Sequence, residues 1–261
     1  MLAASLPRRS SSLLRARPRV SPAARAQIGV FGLAYLLYSA ARWVTVGDLP
    51  SAQAHALWIV HAERDLGVAT EASVQNGLSG TFVLWILNHL YLAAQLIVVP
   101  GALIFLYKRS RTGYERLRNT ILATWLISIP VYALYPVAPP RLAGIGMVDT
   151  ITTETGFSMS SKLTTSFYNE LAAVPSLHVG FAVAVGIALA GALRNPVARF
   201  VALLWGPAIG LAVVATGNHF VFDIAAGLVA SAAGYALGTA VARANRRPRQ
   251  AVMLRPAFAE A

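Results

Sequence analysis

Gly217-Asn218-His219-Phe220-Val221-Phe222-Asp223 opens an apolar run that continues to residue 242, and Pro175-Ser176-Leu177-His178-Val179-Gly180 opens another that continues to residue 193. At about 20 residues each, these runs match the length a helix needs to cross a bilayer's hydrocarbon core of roughly 30 Å. Each sets a histidine at its start, and the later run adds a carboxylate four residues on. Ionisable groups at membrane depth cost from about 2.5 kcal/mol upward at a helix centre for Asp, Lys or Arg, so such residues mark a site rather than filler.

Four further apolar segments, at 27–46, 80–107, 117–135 and 197–216, bring the expected number of spans to six. The bulk numbers agree: 56% of the 261 residues are hydrophobic, 12% are charged, and the mean hydropathy is +0.58. A soluble domain carries far more charge, so the expectation is an all-α polytopic membrane protein. Pro100 in the second segment predicts a tilt or kink, and recurrent glycines in the last three (Gly186, Gly191, Gly210, Gly227, Gly234) suit close helix packing in lipid. The chain has no cysteine, which excludes disulfides and thiolate chemistry.

The net charge of +12 does not point to nucleic acid, because the basic residues gather at the segment ends. With the N-terminus inside, 18 of the 22 Lys and Arg residues fall on the cytoplasmic side. Arg42, Arg64, Arg141 and Lys162 are the exceptions. Both termini are therefore expected in the cytoplasm of a cell-membrane protein, with His178, His219 and Arg141 together at the outer face. Residues 1–26, basic and free of acids, read as a disordered cytoplasmic tail. Arg8-Arg9 before Ser10 to Leu14 has a faint twin-arginine look, but no apolar core follows until residue 28. Residues 27–242 form one membrane domain, and 243–261 a second basic cytoplasmic tail. Between the first two spans, 48–79 is expected to form one short interfacial helix with Trp58, Ile59, Ala62 and Leu66 on its apolar side. The 136–174 connection, with a short helix near 160–172, reads as an extracytoplasmic loop over the site.

His219 and Asp223, at i and i+4, share a helical face. The carboxylate can hold one ring nitrogen and leave the other as a lone pair. Taken singly the pair could as well tie two helices together. His178 falls in the first turn of a helix capped by Ser176, where free amides attract anions; a plain capped interfacial helix is the alternative. Arg141, after Tyr135-Pro136-Val137-Ala138-Pro139-Pro140, could grip phosphate oxygens or snorkel to the interface. Asn88 and Tyr91 are pocket candidates or interhelical glue, and Gly217-Asn218 provides a turn that puts Asn218 beside the site. Two histidines, an aspartate and an arginine form a minimal kit for phosphoryl transfer.

Across about residues 27–242 the chain resembles the type-2 phosphatidic acid phosphatase superfamily, specifically its branch similar to inositol phosphorylceramide synthases. The resemblance rests on Ala138-Pro139-Pro140-Arg141, Pro175-Ser176-Leu177-His178, and His219 with Asp223. It implies a phosphohistidine mechanism. His219 would be the nucleophile, Asp223 its orienting partner and His178 the general acid and base. Arg141 and Ser176 would hold the phosphate oxygens, and no metal or other cofactor would be needed. The superfamily's Lys with a downstream Arg-Pro is absent, apolar Ala212 and Val213 stand where a Ser-Arg pair is usual, and Leu177 replaces a glycine. Gln95 stands where the branch carries a histidine. The implied substrate is a lipid phosphate, with water or a polyol such as inositol as acceptor. A phosphatidate or polyprenyl (di)phosphate phosphatase is the alternative. The non-enzyme alternative is an idle scaffold or a transporter, though repeat symmetry and broken midplane helices are not evident in the sequence.

Overall fold

The computed structural model describes residues 21–44, 47–167 and 169–254. Most of the basic N-terminal tail and the last residues of the C-terminal one lie outside the described residues. Among the described residues the chain is all-helical, with α1 (Pro22–Val44), α2 (Leu49–Asp65), α3 (Glu71–Leu78), α4 (Phe82–Ala93), α5 (Val99–Arg109), α6 (Arg111–Leu134), α7 (Thr150–Thr155), α8 (Lys162–Phe167), α9 (Leu177–Ala192), α10 (Pro196–Ala215) and α11 (Val221–Leu254).

Four of these units are long and apolar enough to cross a membrane: Phe82–Arg109, Arg111–Leu134, Pro196–Ala215 and Val221–Ala244. The expected count of six is not reached on that measure, for two physical reasons. Helix α9 has 16 residues, about 24 Å at 1.5 Å per residue, short of a full hydrocarbon core. Helix α1 carries Gln27, Tyr35, Tyr38 and Ser39, and Gln27 accepts hydrogen bonds from Tyr114 and Arg118 of α6. On the four spans the outward side chains are apolar, among them Leu96, Leu126, Phe200 and Val229, each more than 60% exposed and so suited to lipid contact.

Pro100 acts upstream of its own position. A proline has no N–H for the carbonyl four residues back, and its ring crowds that carbonyl. Residues Ala94–Val98 form a π-turn, in which the Val99 amide reaches five residues back to Ala94. Phe82–Arg109 is therefore one span with a bulge at its centre, next to the site.

The 48–79 stretch forms two helices rather than one, and the buried side of α2 is not the expected one. Ala52, Ala56, Ile59, Val60 and Glu63 are buried, while Trp58 and Leu66 point outward. The 136–174 loop also holds α7, which its run of threonines did not suggest, and the expected helix near 160–172 shortens to α8. The Val137–Ala172 bridge ties the two ends of that loop together.

Helix α9 sits against α10, α6, α11 and α5. Its seam with α11 is made of small residues: a Cβ on Gly180 would lie 2.9 Å from the Gly227 carbonyl oxygen, and one on Gly227 2.4 Å from that of Ser176. The Ser231 hydroxyl donates to the Gly180 carbonyl, 2.9 Å, and closes the seam. Backbones this close are the usual way helices associate in lipid. The seam fixes the starts of α9 and α11 side by side.

Candidate active site

The first turn of α11 is built around three carboxylates. The amides of Phe220, Val221 and Phe222 have no partners within the helix, as at any helix start. Asp223 Oδ2 accepts from Phe220 (2.9 Å), Glu71 Oε1 from Val221 (2.9 Å) and Glu63 Oε1 from Phe222 (2.6 Å). All three acids are at most 5% exposed. Upstream, Gly217 adopts φ +70°, a left-handed turn that suits glycine. The turn delivers Asn218 and His219 to the cavity.

His219 Nδ1 faces the Ala173 carbonyl at 2.9 Å and Asp223 Oδ2 at 3.2 Å. The carbonyl can only accept, so Nδ1 carries the hydrogen, and in the neutral ring Nε2 is left with the lone pair. Asp223 is fully buried behind the ring. Its own carbonyl accepts from the Ser176 amide, 3.0 Å, which links the two histidine-bearing helices.

His178 stands in the first turn of α9, entered through a cis Val174–Pro175 peptide bond. Its ring stacks on Tyr91 with centroids 4.2 Å apart, and lies 5.9 Å from the His219 ring. Reacting atoms in a productive complex sit about 3–3.5 Å apart, so one tetrahedral anion can touch both rings. Tyr132 of α6 donates to the Pro175 carbonyl, 2.7 Å, and braces the entry to α9.

Arg141 is held from several sides. Its amide donates to the Gly217 carbonyl (2.9 Å) and its Nε to Asn218 Oδ1 (3.1 Å). Its two terminal nitrogens lie 3.7 Å from Asp149 and 3.5 Å from Glu170, carboxylates contributed by the 136–174 loop. The guanidinium is thus fixed beside His219, and the loop's acids occupy the positions an anionic ligand would contest.

His178, His219, Arg141, Asn218 and Tyr91 line one cavity of about 110 Å³, together with Gln95 from the π-turn and Glu170 from the loop. Two expected contributors do not line it. The Ser176 hydroxyl accepts from the Val179 amide as the α9 cap and is fully buried, so it shapes the helix start rather than facing the cavity. Asn88 is also fully buried and binds Glu154 (2.9 Å) and Thr150 (2.8 Å) of α7, anchoring the 136–174 loop to α4. The described residues include no group of three or more His, Cys, Asp or Glu placed to hold a metal ion.

Sequence reasoning missed Glu63 and Glu71. Both come from the stretch read as a single interfacial helix. The available signal was a glutamate three and four residues after Val60 and Ile59, on the face that those two bury. Burial, with Glu71 and Asp223 nearby, pushes the Glu63 carboxyl up to about 8 from the ordinary 4.5. Desolvation of the charged form is the larger cause.

Comparison with curated proteins and with solved structures returned no match. A family comparison did: the profile described as the PAP2 superfamily matches residues 57–237, from α2 to α11, and so takes in Arg141, His178, His219 and Asp223. The match covers more than half of the chain, whose all-helical, membrane-type architecture agrees with it. The chain belongs to the PAP2 superfamily.

Proposed function

We propose that this membrane phosphatase-family protein cleaves a lipid phosphate ester through a covalent phosphohistidine at His219. The observation that carries the reading is the pairing of His219 and His178 across one cavity, 5.9 Å apart, with Nδ1 of His219 engaged and Arg141 alongside. His219 Nε2 attacks phosphorus, and the bond from phosphorus to the leaving oxygen breaks as His178 gives that oxygen a proton. His178 then takes a proton from the incoming water or alcohol, whose oxygen displaces Nε2 and frees His219. Asp223 stabilises the charge that develops on the ring, and Arg141 stabilises that on the phosphate oxygens. The residues of this cycle require no metal.

The finer reading is the branch similar to inositol phosphorylceramide synthases, with a phosphoinositol-type group passed to an alcohol. It is supported by the apolar, fully buried Ala212 and Val213, which stand where the wider superfamily carries a Ser-Arg pair; Gln95, which lines the cavity where the branch carries a histidine, departs from it. In this reading α1 and α9 also cross the membrane, both termini are cytoplasmic, and the cavity faces outward. Purified protein is given phosphatidic acid, farnesyl diphosphate or phosphatidylinositol in mixed micelles, with and without a ceramide or inositol acceptor, and products are resolved by mass spectrometry. Wild-type turnover of one donor and none by His219→Ala is expected. Turnover that survives His219→Ala, or none of any donor by wild type, overturns the reading. A product bearing the acceptor identifies a transferase, and free phosphate a phosphatase.

A further inference from the structure

The mechanism above uses Asp223 but leaves unexplained why two more buried acids, from two other helices, converge on the same turn. Glu63 and Glu71 are 2% and 5% exposed, and their Oε1 atoms accept the Phe222 and Val221 amides at 2.6 and 2.9 Å. A helix start needs its amides satisfied, and one capping side chain is the usual provision. Here three successive amides each take a carboxylate, and the two glutamates reach across from α2 and α3 to do so. Water or a neutral side chain would satisfy those amides at far lower cost than two buried acids. Arrangements that expensive are characteristic of sites where geometry matters more than stability.

We infer that Glu63 and Glu71 are positioning residues for the His219–Asp223 pair, clamping the turn from which both side chains project. The inference rests on the reading of His219 as the reacting histidine. The backbone between His219 and Asp223 is only a few residues long, and the clamped amides lie within it. Fixing Val221 and Phe222 therefore fixes the angle at which the imidazole meets the carboxylate, and with it the aim of Nε2. The two Oε1 contacts also tie α2 and α3 to α11, so the region between the first two spans is coupled to the site without lining the cavity. Glu63 Oε2 and Asp223 Oδ1 have no hydrogen-bond partner. A proton on Glu63 gives its Oε2 a hydrogen to donate toward Glu71, which removes the repulsion within the group.

This arrangement makes a substitution with an amide informative. Gln at position 63 keeps an oxygen for the Phe222 amide and offers N–H where the protonated acid offers O–H. Alanine removes both. The test compares Glu63→Ala, Glu71→Ala and Glu63→Gln with wild type, using the donor that wild type turns over. Rates are normalised to the folded, monodisperse fraction from size-exclusion chromatography. Loss of aim lowers kcat by about 10–100-fold in both alanine variants while KM stays within about twofold, because the cavity wall that binds the headgroup is untouched. Glu63→Gln restores most of kcat. A merely structural role would lower the folded fraction and leave kcat per folded molecule unchanged, and that result overturns the inference. Equal losses in Glu63→Gln and Glu63→Ala also overturn it. The His219→Ala control separates the layers. If His219→Ala is inactive but both alanine variants keep wild-type kcat, only the clamp fails. If His219→Ala is active, the reading beneath it fails.

Discussion

Gly227→Ala tests whether the small-residue seam between α9 and α11 sets the spacing of the two histidines. Gly227 lies one helical turn after Asp223, on the same face. A methyl group there would stand 2.4 Å from the Ser176 carbonyl oxygen, 3.1 Å from its carbon and 3.2 Å from the Ser176 nitrogen. All three atoms are backbone, so no side-chain rotation relieves the clash. Ordinary contact begins at 3.4 Å, and the start of α9 must retreat by about 1 Å. Overpacking of this kind costs about 1–3 kcal/mol of stability. His178 is two residues beyond Ser176 and moves with it, so the gap to His219 opens. A shift of about 1 Å at a reacting group can cost about 100-fold in rate. The assay pairs thermal unfolding in detergent with turnover per folded molecule, and Gly191→Ala, near the far end of α9, is the control, since a Cβ there meets nothing within 4 Å. A Gly227→Ala protein with wild-type melting temperature and turnover would refute the reasoning.

Three further predictions follow from the same geometry. Arg141→Lys keeps the charge but loses the fork shared among Asn218, Asp149 and Glu170; a drop in kcat/KM of about 10–1000-fold is expected, measured on the active donor. Glu170→Gln removes a carboxylate, 3.5 Å from Arg141 and 23% exposed, that an anionic substrate must displace; KM should fall by up to about fivefold, since such pairs are worth at most about 1 kcal/mol. Glu63→Gln should also flatten the stability profile: with the folded-state carboxyl near 8 against an ordinary 4.5, the folded protein holds a proton that the unfolded chain has already released, so wild-type stability declines as pH rises from about 4.5 to 8 and levels off above. Melting temperatures across that window should show a smaller decline for the variant, and parallel curves would contradict the assignment.

Much of the fold follows from apolar segment lengths, and the meeting of Pro175–His178 with Gly217–Asp223 follows from where those segments begin. The i, i+4 spacing predicts His219 and Asp223 on one helical face; they do meet at 3.2 Å, but His219 precedes α11, which starts at Val221, so the turn before the helix makes the contact. What local pattern could not convey is long-range pairing. Nothing near Glu63 or Glu71 in sequence indicates that their partners are amides of α11, 159 and 150 residues away. Ser176 and Asn88 illustrate the converse, because each has a local or loop partner that a pattern of polar residues does not distinguish from a ligand contact. The π-turn at Ala94–Val98 was half legible: Pro100 announces a disturbance, but not that it would be absorbed as an extra residue beside Gln95. The buried side of α2 was misjudged because Trp58 and Leu66, large and apolar, are spent on the exposed face, where a lipid interface accommodates them.

The proposed outward orientation of the cavity has a direct probe. The chain has no cysteine, and Leu163 on α8 is 72% exposed whereas Asn218 is 4% exposed. A Leu163→Cys protein in intact cells should react with an impermeant maleimide added outside, and labelling only after lysis would invert the orientation.

The most direct measurement of the central claim is chemical. Enzyme is mixed with a phosphorus-labelled donor, quenched in alkali within milliseconds, digested and sequenced by mass spectrometry. An alkali-stable, acid-labile phosphorus–nitrogen adduct is expected on the peptide carrying His219, absent in His219→Ala. Label on any other residue, or turnover with no adduct at His219 even when acceptor is withheld, would contradict the mechanism.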